Sequence, residues 1–417
     1  MNGIKQYKIR PSRLVGSVHV SGAKNSALKL LTASLLTDEK VEIDNYPAGL
    51  VDVQIHVDML RQLGKDCHLE EDKIIITEPD KIKTRLDWHG PSIRNTLLIL
   101  GALVTRTGEG AVPLPGGCQI GDRKYDLHEM LLREMGAEVW TEDNMLCAEV
   151  KGGLKGIDIH LPVRSTGATE NAILSGCLAN GTTRVWNPHV RPEIMDLISY
   201  LTKMGAKIEA YGQEHIEIEG VERLSGIRHT VIGDNMEAIT WLIGSVITNG
   251  DVEIVGFPFR HLEIPLIQLR ESGAKFYRGD ERLIVRGGRC YPIDISTGPY
   301  PGINSDMQPF FALYGVCARG ESRIIDLRFP GRYAYTDEIK KMGGRFKIDA
   351  NILRIFGGTP LHGSQVTATD LRAGAALALG GLVADRETVI EDAWQISRGY
   401  NRFFEKIRDL GANIDRE

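Results

Sequence analysis

Residues 132–150 read Leu132-Arg-Glu-Met135-Gly136-Ala137-Glu-Val-Trp-Thr-Glu-Asp143-Asn144-Met-Leu-Cys-Ala-Glu-Val150. Two apolar residues three apart followed by glycine predict the last turn of a helix and its left-handed stop. Alternation on either side of Asp143-Asn144 then predicts a hairpin. The same reading applies at five other places. Leu60–Gly64, Leu201–Ala206, Leu269–Ala274, Ile339–Gly344 and Ile407–Ala412 repeat the helix-ending phrase, and its six glycines lie 72, 69, 68, 70 and 68 residues apart. A period this regular over the whole length makes the chain one unit used six times.

A second phrase also recurs: a helix of small residues, a polar turn and a strand, as in Ala172–Val185 and Phe311–Ile324. Glycine costs helix propensity, so its presence here predicts close helix–helix approach in a crowded interior. The unit reads helix, strand, helix, strand, strand, an α/β architecture with mixed sheets. Small-residue helices are expected inside, amphipathic helices and sheets outside. The 417 residues exceed the roughly 250–300 that one core serves, so six units divide into three plus three. Met1–Gly22 precedes the first unit and is expected to be a strand pair closing a sheet of the other half. The lobes are then 23–231 and, discontinuously, 1–22 plus 232–417. The two crossings between them favour a hinge.

Composition narrows the function. Fifty basic against 55 acidic residues give a net charge of -5, which argues against a duplex nucleic-acid binder. No apolar run approaches the ~20 residues of a membrane span, and no secretory signal is expected. Six widely spread cysteines without a C-x-x-C pair suggest free thiols, a reducing cytoplasm and no zinc site. Phosphate-loop, dinucleotide, zinc-protease and serine-hydrolase motifs are missing.

The repeat also exposes its exceptions. The small helices open with Gly22-Ala-Lys24-Asn25, Ser92-Ile-Arg94-Asn95, Arg164-Ser165-Thr166-Gly167, Gly233-Asp234-Asn235, Asn304-Ser305-Asp306 and Asp370-Leu-Arg372. Cations at helix N-termini oppose the macrodipole, so Lys24, Arg94 and Arg372 predict bound anions as partners. Between the first two units lies an insertion, Pro113-Leu-Pro-Gly-Gly-Cys118-Gln-Ile-Gly-Asp-Arg123-Lys-Tyr-Asp126-Leu127-His128. Cys118, among glycines and beside Arg123, suits a titrating thiol, but also the buried small hydrophobe expected of Cys177 and Cys317. Arg398, in Ser397-Arg398-Gly399-Tyr400, is by itself an ordinary surface arginine.

Together, Ser21–Asn25, Leu114–His128, Ser305-Asp306-Met307-Gln308, Asp370–Ala373 and Arg398–Tyr400 resemble the enolpyruvyl transferase family over essentially the whole chain. The resemblance implies a two-lobed, inside-out α/β barrel with three βαβαββ units per lobe. It also implies an addition–elimination reaction between phosphoenolpyruvate and an acceptor hydroxyl. Within the family the closest likeness is to the branch acting on UDP-N-acetylglucosamine in peptidoglycan synthesis. By position, Cys118 would protonate C3 and assist phosphate departure, and Asp306 would take the acceptor's hydroxyl proton. Lys24, Arg123 and Arg398 would clamp phosphoenolpyruvate, with Arg94 and Arg372 lining the same cleft. Asn25, Arg94, Arg123, Asp126, Leu127, Arg164, Ser165, Thr166, Gly167, Asp306 and Arg332 would face the acceptor nucleotide. No metal or cofactor is implied, and lobe closure with the cysteine loop as lid is expected.

Four stretches depart from the family pattern. Val163 stands where lysine is usual, and Arg123-Lys124-Tyr125-Asp126-Leu127 replaces Arg-Pro-Val-Asp-Leu. Asp234-Asn235-Met236-Glu237-Ala238 replaces Asp-Arg-Ile-Glu-Thr, and Pro330-Gly331-Arg332-Tyr333 replaces Glu-Asn-Arg-Phe. These changes gather around the acceptor. They leave open the same chemistry on another uridine nucleotide, such as UMP in a nucleoside-antibiotic pathway, and an inactive nucleotide-binding homologue.

Overall fold

The computed structural model describes residues 5–91, 93–114 and 125–417. Cys118 and Arg123 therefore lie outside the described residues. Two strands open the chain, β1 (Gln6–Arg10) and β2 (Val15–His19). The first unit is α1 (Lys24–Ala33), β3 (Val41–Asp44), α2 (Val51–Leu63), β4 (Asp66–Leu69) and β5 (Lys73–Thr77). The second is α3 (Thr96–Thr107), β6 (Glu109–Pro113), α4 (Asp126–Glu134), β7 (Glu138–Glu142) and β8 (Met145–Glu149). The third is β9 (Asp158–His160), α5 (Thr166–Gly176), β10 (Thr182–Trp186), α6 (Pro192–Lys203), β11 (Lys207–Tyr211) and β12 (His215–Glu219).

The fourth is β13 (Arg228–Thr230), α7 (Asn235–Ile247), β14 (Asp251–Val255), α8 (Glu263–Glu271), β15 (Ala274–Gly279) and β16 (Arg282–Gly288). The fifth is β17 (Asp294–Thr297), α9 (Gln308–Cys317), β18 (Glu321–Asp326), α10 (Tyr335–Lys341), β19 (Arg345–Asp349) and β20 (Ile352–Phe356). The sixth is β21 (Gln365–Thr367), α11 (Leu371–Leu382), β22 (Thr388–Glu391), α12 (Phe403–Asp409) and β23 (Asn413–Arg416).

Each repeat builds the same sheet. The strand after the small helix pairs in parallel with a leading strand and antiparallel with the last hairpin strand, as in β9-β10-β12-β11 and β17-β18-β20-β19. In the second repeat a single bridge from Arg85 to Ala111 takes the leading position. The opening residues differ from the expected strand pair: β1 and β2 do not pair with each other. β2 leads the fourth repeat's sheet beside β14, whereas β1 sits between β22 and β23 and completes the sixth repeat's sheet. Conversely, β13 leads the first repeat's sheet beside β3. The four residues of 11–14 could have closed a hairpin, but each strand instead satisfies its backbone groups on another sheet.

The chain forms two compact units, Met1–Ser21 with Gly49–Val51 and Gly233–Glu417, and Gly22–Ala48 with Asp52–Ile232. In both, the small helices are buried: α11 is covered along its whole length, and so are all but the last residue of α7. Their glycines permit close approach. A Cβ on Gly101 of α3 would lie 1.9 Å from Asn171 Oδ1 of α5, and one on Gly244 of α7 would lie 2.8 Å from Leu379 of α11. The six phrase glycines all have φ between 91° and 107°. In five of them the following N–H returns to the carbonyl of the first apolar residue, for instance Ala137 to Leu132 at 2.9 Å. That closes a Schellman turn and sends the chain into each hairpin. Asp143 and Asn144, with φ of 48° and 60°, make the expected hairpin turn.

Candidate active site

In the unit containing 22–48 and 52–232, four small-helix and loop ends carry the expected residues. Lys24 is the first residue of α1, buried, with Nζ 3.3 Å from Asp52 Oδ2 of α2. Asn25 beside it keeps partial exposure. Arg94 precedes Asn95, the N-cap of α3, so Lys24 and Arg94 do not occupy equivalent helix positions as the sequence suggested. Ser165 caps α5 by accepting from Ala168 N at 3.3 Å, and Thr166 Oγ1 lies 2.7 Å from His189 Nδ1. Gly167 faces His128: a Cβ there would sit 3.0 Å from Nε2 of the ring. Asp126 begins α4 and is exposed, Leu127 is half-buried, and Arg164 Nε donates to Asn187 Oδ1 at 3.0 Å.

Beneath these residues runs a polar network that sequence reasoning missed. Lys29, one turn beyond Asn25, donates to Asn95 Oδ1 at 2.9 Å and lies 3.5 Å from the buried Glu170 carboxylate. Asn95 Nδ2 reaches Leu28 O, Thr32 Oγ1 and His56 Nδ1 at 2.9–3.1 Å, fastening α3 to α1 and α2. His56 and His128 are buried, and desolvation, helped by nearby lysine and arginine charge, pushes both imidazoles down to about 3. Both rings are thus neutral acceptors at physiological pH. Burial also raises Glu170 against the pull of Lys29 and Arg191. A lysine among leucines and a Glu-Asn pair inside an alanine-rich helix were the available signals.

The other unit holds a carboxylate and three guanidinium groups. Asn304 caps the single turn Ser305–Met307 by accepting from Asp306 N at 3.0 Å. Asp306 Oδ1 is 2.8 Å from Arg332 NH1. The buried Asp326 anchors both partners' segments, accepting from Ser305 Oγ, from Gln308 Nε2 at 2.8 Å and from the backbone of Arg328 and Phe329. Asp370 caps α11 through Arg372 N and Ala373 N at 2.7 and 2.8 Å.

Arg372 points into the interior and is only 2 % exposed. Burial opposes its charge, but Tyr400, Asp234 and Asp306 outweigh that and raise its pKa. Arg398, on the turn Ala393–Arg398, donates to Gln395 Oε1 at 3.1 Å. Lys24 therefore has a carboxylate partner, and Arg372 a tyrosine ring, in addition to any anion they would receive. Among the described residues Cys67, Cys147, Cys177, Cys290 and Cys317 are free, and burial pushes the Cys177 and Cys317 thiols up to about 12.

Residues 9–407 match the family model described as EPSP synthase (3-phosphoshikimate 1-carboxyvinyltransferase). The chain belongs to the EPSP synthase family of enolpyruvyl transferases. It is 39% identical over 410 residues to the UDP-N-acetylglucosamine 1-carboxyvinyltransferase of Finegoldia magna, covering 97% of this chain and 96% of the relative. It is 40% identical over 406 residues to UDP-N-acetylglucosamine 1-carboxyvinyltransferase 1 of Carboxydothermus hydrogenoformans, with the same coverage. The crystal structure of the enolpyruvyl transferase NikO from Streptomyces tendae superposes with a TM-score of 0.89 at 25% identity, covering 99% of both chains. EPSP synthase from Acinetobacter baumannii, at 18% identity and a TM-score of 0.77, shares the fold. The enolpyruvyl transferase fold implied by the resemblance is thus the observed one, in two α/β units. No helix among the described residues is long and apolar enough to cross a membrane.

Proposed function

We propose that this enolpyruvyl transferase moves the enolpyruvyl group of phosphoenolpyruvate to the 3-hydroxyl of UDP-N-acetylglucosamine, releasing phosphate. The observation that carries the reading is Arg372: a buried guanidinium whose Nε has no hydrogen-bond partner is built to receive an anion. The acceptor is taken from the relatives at 39% and 40% identity. Lys24, Arg94, Arg123, Arg372 and Arg398 supply the fixed positive charge a carboxylate and a phosphate need. Asp306, steadied by Arg332, takes the hydroxyl proton as the acceptor oxygen bonds to C2, and Cys118 delivers a proton to C3. Loss of phosphate from C2 and of a proton from C3 then restores the double bond. Asn25, Asp126, Leu127, Arg164, Ser165, Thr166 and Gly167 hold the acceptor. The working lobes are 23–231 and 1–22 plus 232–417, and the setting is the cytoplasm, at the first committed step of peptidoglycan synthesis.

A second reading, the same chemistry on UMP, is favoured by the acceptor stretch itself. Val163 is 59% exposed where the family usually has lysine, and Arg164 is turned to Asn187. Phosphate release from phosphoenolpyruvate, measured with UDP-N-acetylglucosamine and separately with UMP, decides between them. Release with UMP alone would sink the cell-wall reading, and none with either acceptor would leave an inactive homologue. Cys118→Ser is expected to lower turnover about 100-fold or more, the scale of a general acid. Fosfomycin, a cysteine-directed epoxide, is expected to add one adduct at Cys118 by intact mass.

A further inference from the structure

Buried arginines are usually held by carboxylates, which occupy the donors on the edge of the guanidinium plane. Arg372 is held differently. Its guanidinium carbon lies 5.1 Å from the centroid of the Tyr400 ring, so an aromatic face supports the group. Its Nε has no hydrogen-bond partner, and NH1 reaches Gly399 O only at 3.5 Å. A Cβ on Gly399 would lie 2.1 Å from Leu371 Cδ1 and 3.3 Å from that NH1, so the backbone packs closely on both residues.

The ring is fixed in turn. Tyr400 is 1% exposed, packs edge-on against Phe403 at 5.4 Å and has its hydroxyl 2.8 Å from Thr240 Oγ1 of α7. Thr240 gives its own hydrogen to Met236 O at 2.7 Å, so the tyrosine hydroxyl is the donor in that pair. The chain of contacts runs from the α7 backbone through Thr240 and Tyr400 to the face of Arg372. It fixes a cation, through both the ring face and the hydroxyl of Tyr400, while leaving Nε for something else.

We propose that Tyr400, backed by Thr240, is the positioning residue for Arg372 in binding phosphoenolpyruvate. This rests on the function proposed above. Tyr400 touches no reacting atom; it holds the guanidinium plane so that its edge meets a carboxylate or phosphate.

The test is a set of variants in the full-length enzyme, each checked for folding by circular dichroism and assayed for phosphate release and calorimetric binding of phosphoenolpyruvate. Tyr400→Leu is expected to raise KM for phosphoenolpyruvate about tenfold while kcat and KM for the acceptor change less than about threefold. Tyr400→Phe and Thr240→Val, which keep a ring, are each expected to raise it about threefold. In an Arg372→Lys background, which has no planar group to stack, adding Tyr400→Leu or Tyr400→Phe is expected to change KM by less than about twofold.

An unchanged KM in Tyr400→Leu, or full additivity with Arg372→Lys, would overturn the assignment. If Tyr400→Leu does not fold, Tyr400→Phe alone and with Arg372→Lys discriminates in the same way. A wild type that neither binds nor turns over phosphoenolpyruvate would sink the underlying function; a wild type that does, with an additive cycle, would sink only this inference.

Discussion

Asp306 and Arg332 meet at 2.8 Å, and Asp326 beneath them fixes both backbone segments. A charge-assisted bond of this kind is worth roughly 1.5–3 kcal/mol, so Arg332→Ala is expected to lower kcat by about 10- to 100-fold in steady-state assays. His56 and His128 make a different prediction, about stability. Their folded-state values of about 3 lie below the unfolded value of about 6.5. Above pH 6.5 both states hold these rings neutral and nothing is lost. As pH falls toward 3 the unfolded chain binds protons that the native rings refuse, so stability declines. At pH 5 each ring costs about 2 kcal/mol. Urea unfolding at pH 7 and pH 5 should show the loss, and His56→Gln should remove about half of it.

Lys24 and Arg372 were legible in the sequence because each puts a cation at a helix start, against the macrodipole, and Asp306 because it lies in the Ser305–Gln308 stretch that carries the family resemblance. His56, Asn95 and Tyr400 were not, because their roles depend on neighbours 28 or more positions away: Asn95 on His56 and Leu28, Tyr400 on Arg372.

At the scale of elements, the helix-ending phrase and the small-residue helices use glycine for opposite reasons, and substitution separates them. A Cβ on Gly136 would touch nothing within 4 Å, but φ is 98° there. Gly136→Ala is therefore expected to cost about 1–2 kcal/mol through the backbone alone. Gly101 has an ordinary helical backbone, where alanine would gain about 1 kcal/mol. Its Cβ, however, would sit 1.9 Å from Asn171 Oδ1, forcing α3 from α5. Overpacking of that kind costs about 1–3 kcal/mol, so Gly101→Ala should also destabilise, and should shift the buried His128–Asn171 contact as Gly136→Ala does not. Denaturant midpoints with histidine NMR distinguish the two. The hairpins and their turns were readable because period and turn chemistry are local. The start of α3 at Thr96, after Arg94, was not, because Asn95 caps by side-chain contacts to other helices instead of its own first turn.

At the scale of the molecule, the sixfold period revealed the units and sent the opening strands to the other half, but left the particular sheet of each strand hidden. Nothing local in Gln6–Arg10 says that it belongs between β22 and β23, since pairing across some 380 to 410 residues leaves no mark on spacing. Deleting residues 1–11 should strip both neighbours of their shared partner. Hydrogen exchange is expected to show protection lost at 388–391 and 413–416 first, with the 52–232 unit retaining its own.

That strand also orders events in time on the ribosome. β1 and β2 leave the exit tunnel well before their partners, since β2's partner ends at Val255 and β1's last partner ends at Arg416. Synthesis at ~5–20 residues per second leaves β1 waiting on the order of 20–80 s, while residues 22–232 have already emerged. A strand translated early is thus among the last to find its place, and the nascent chain carries an unpaired strand edge until Arg416 emerges.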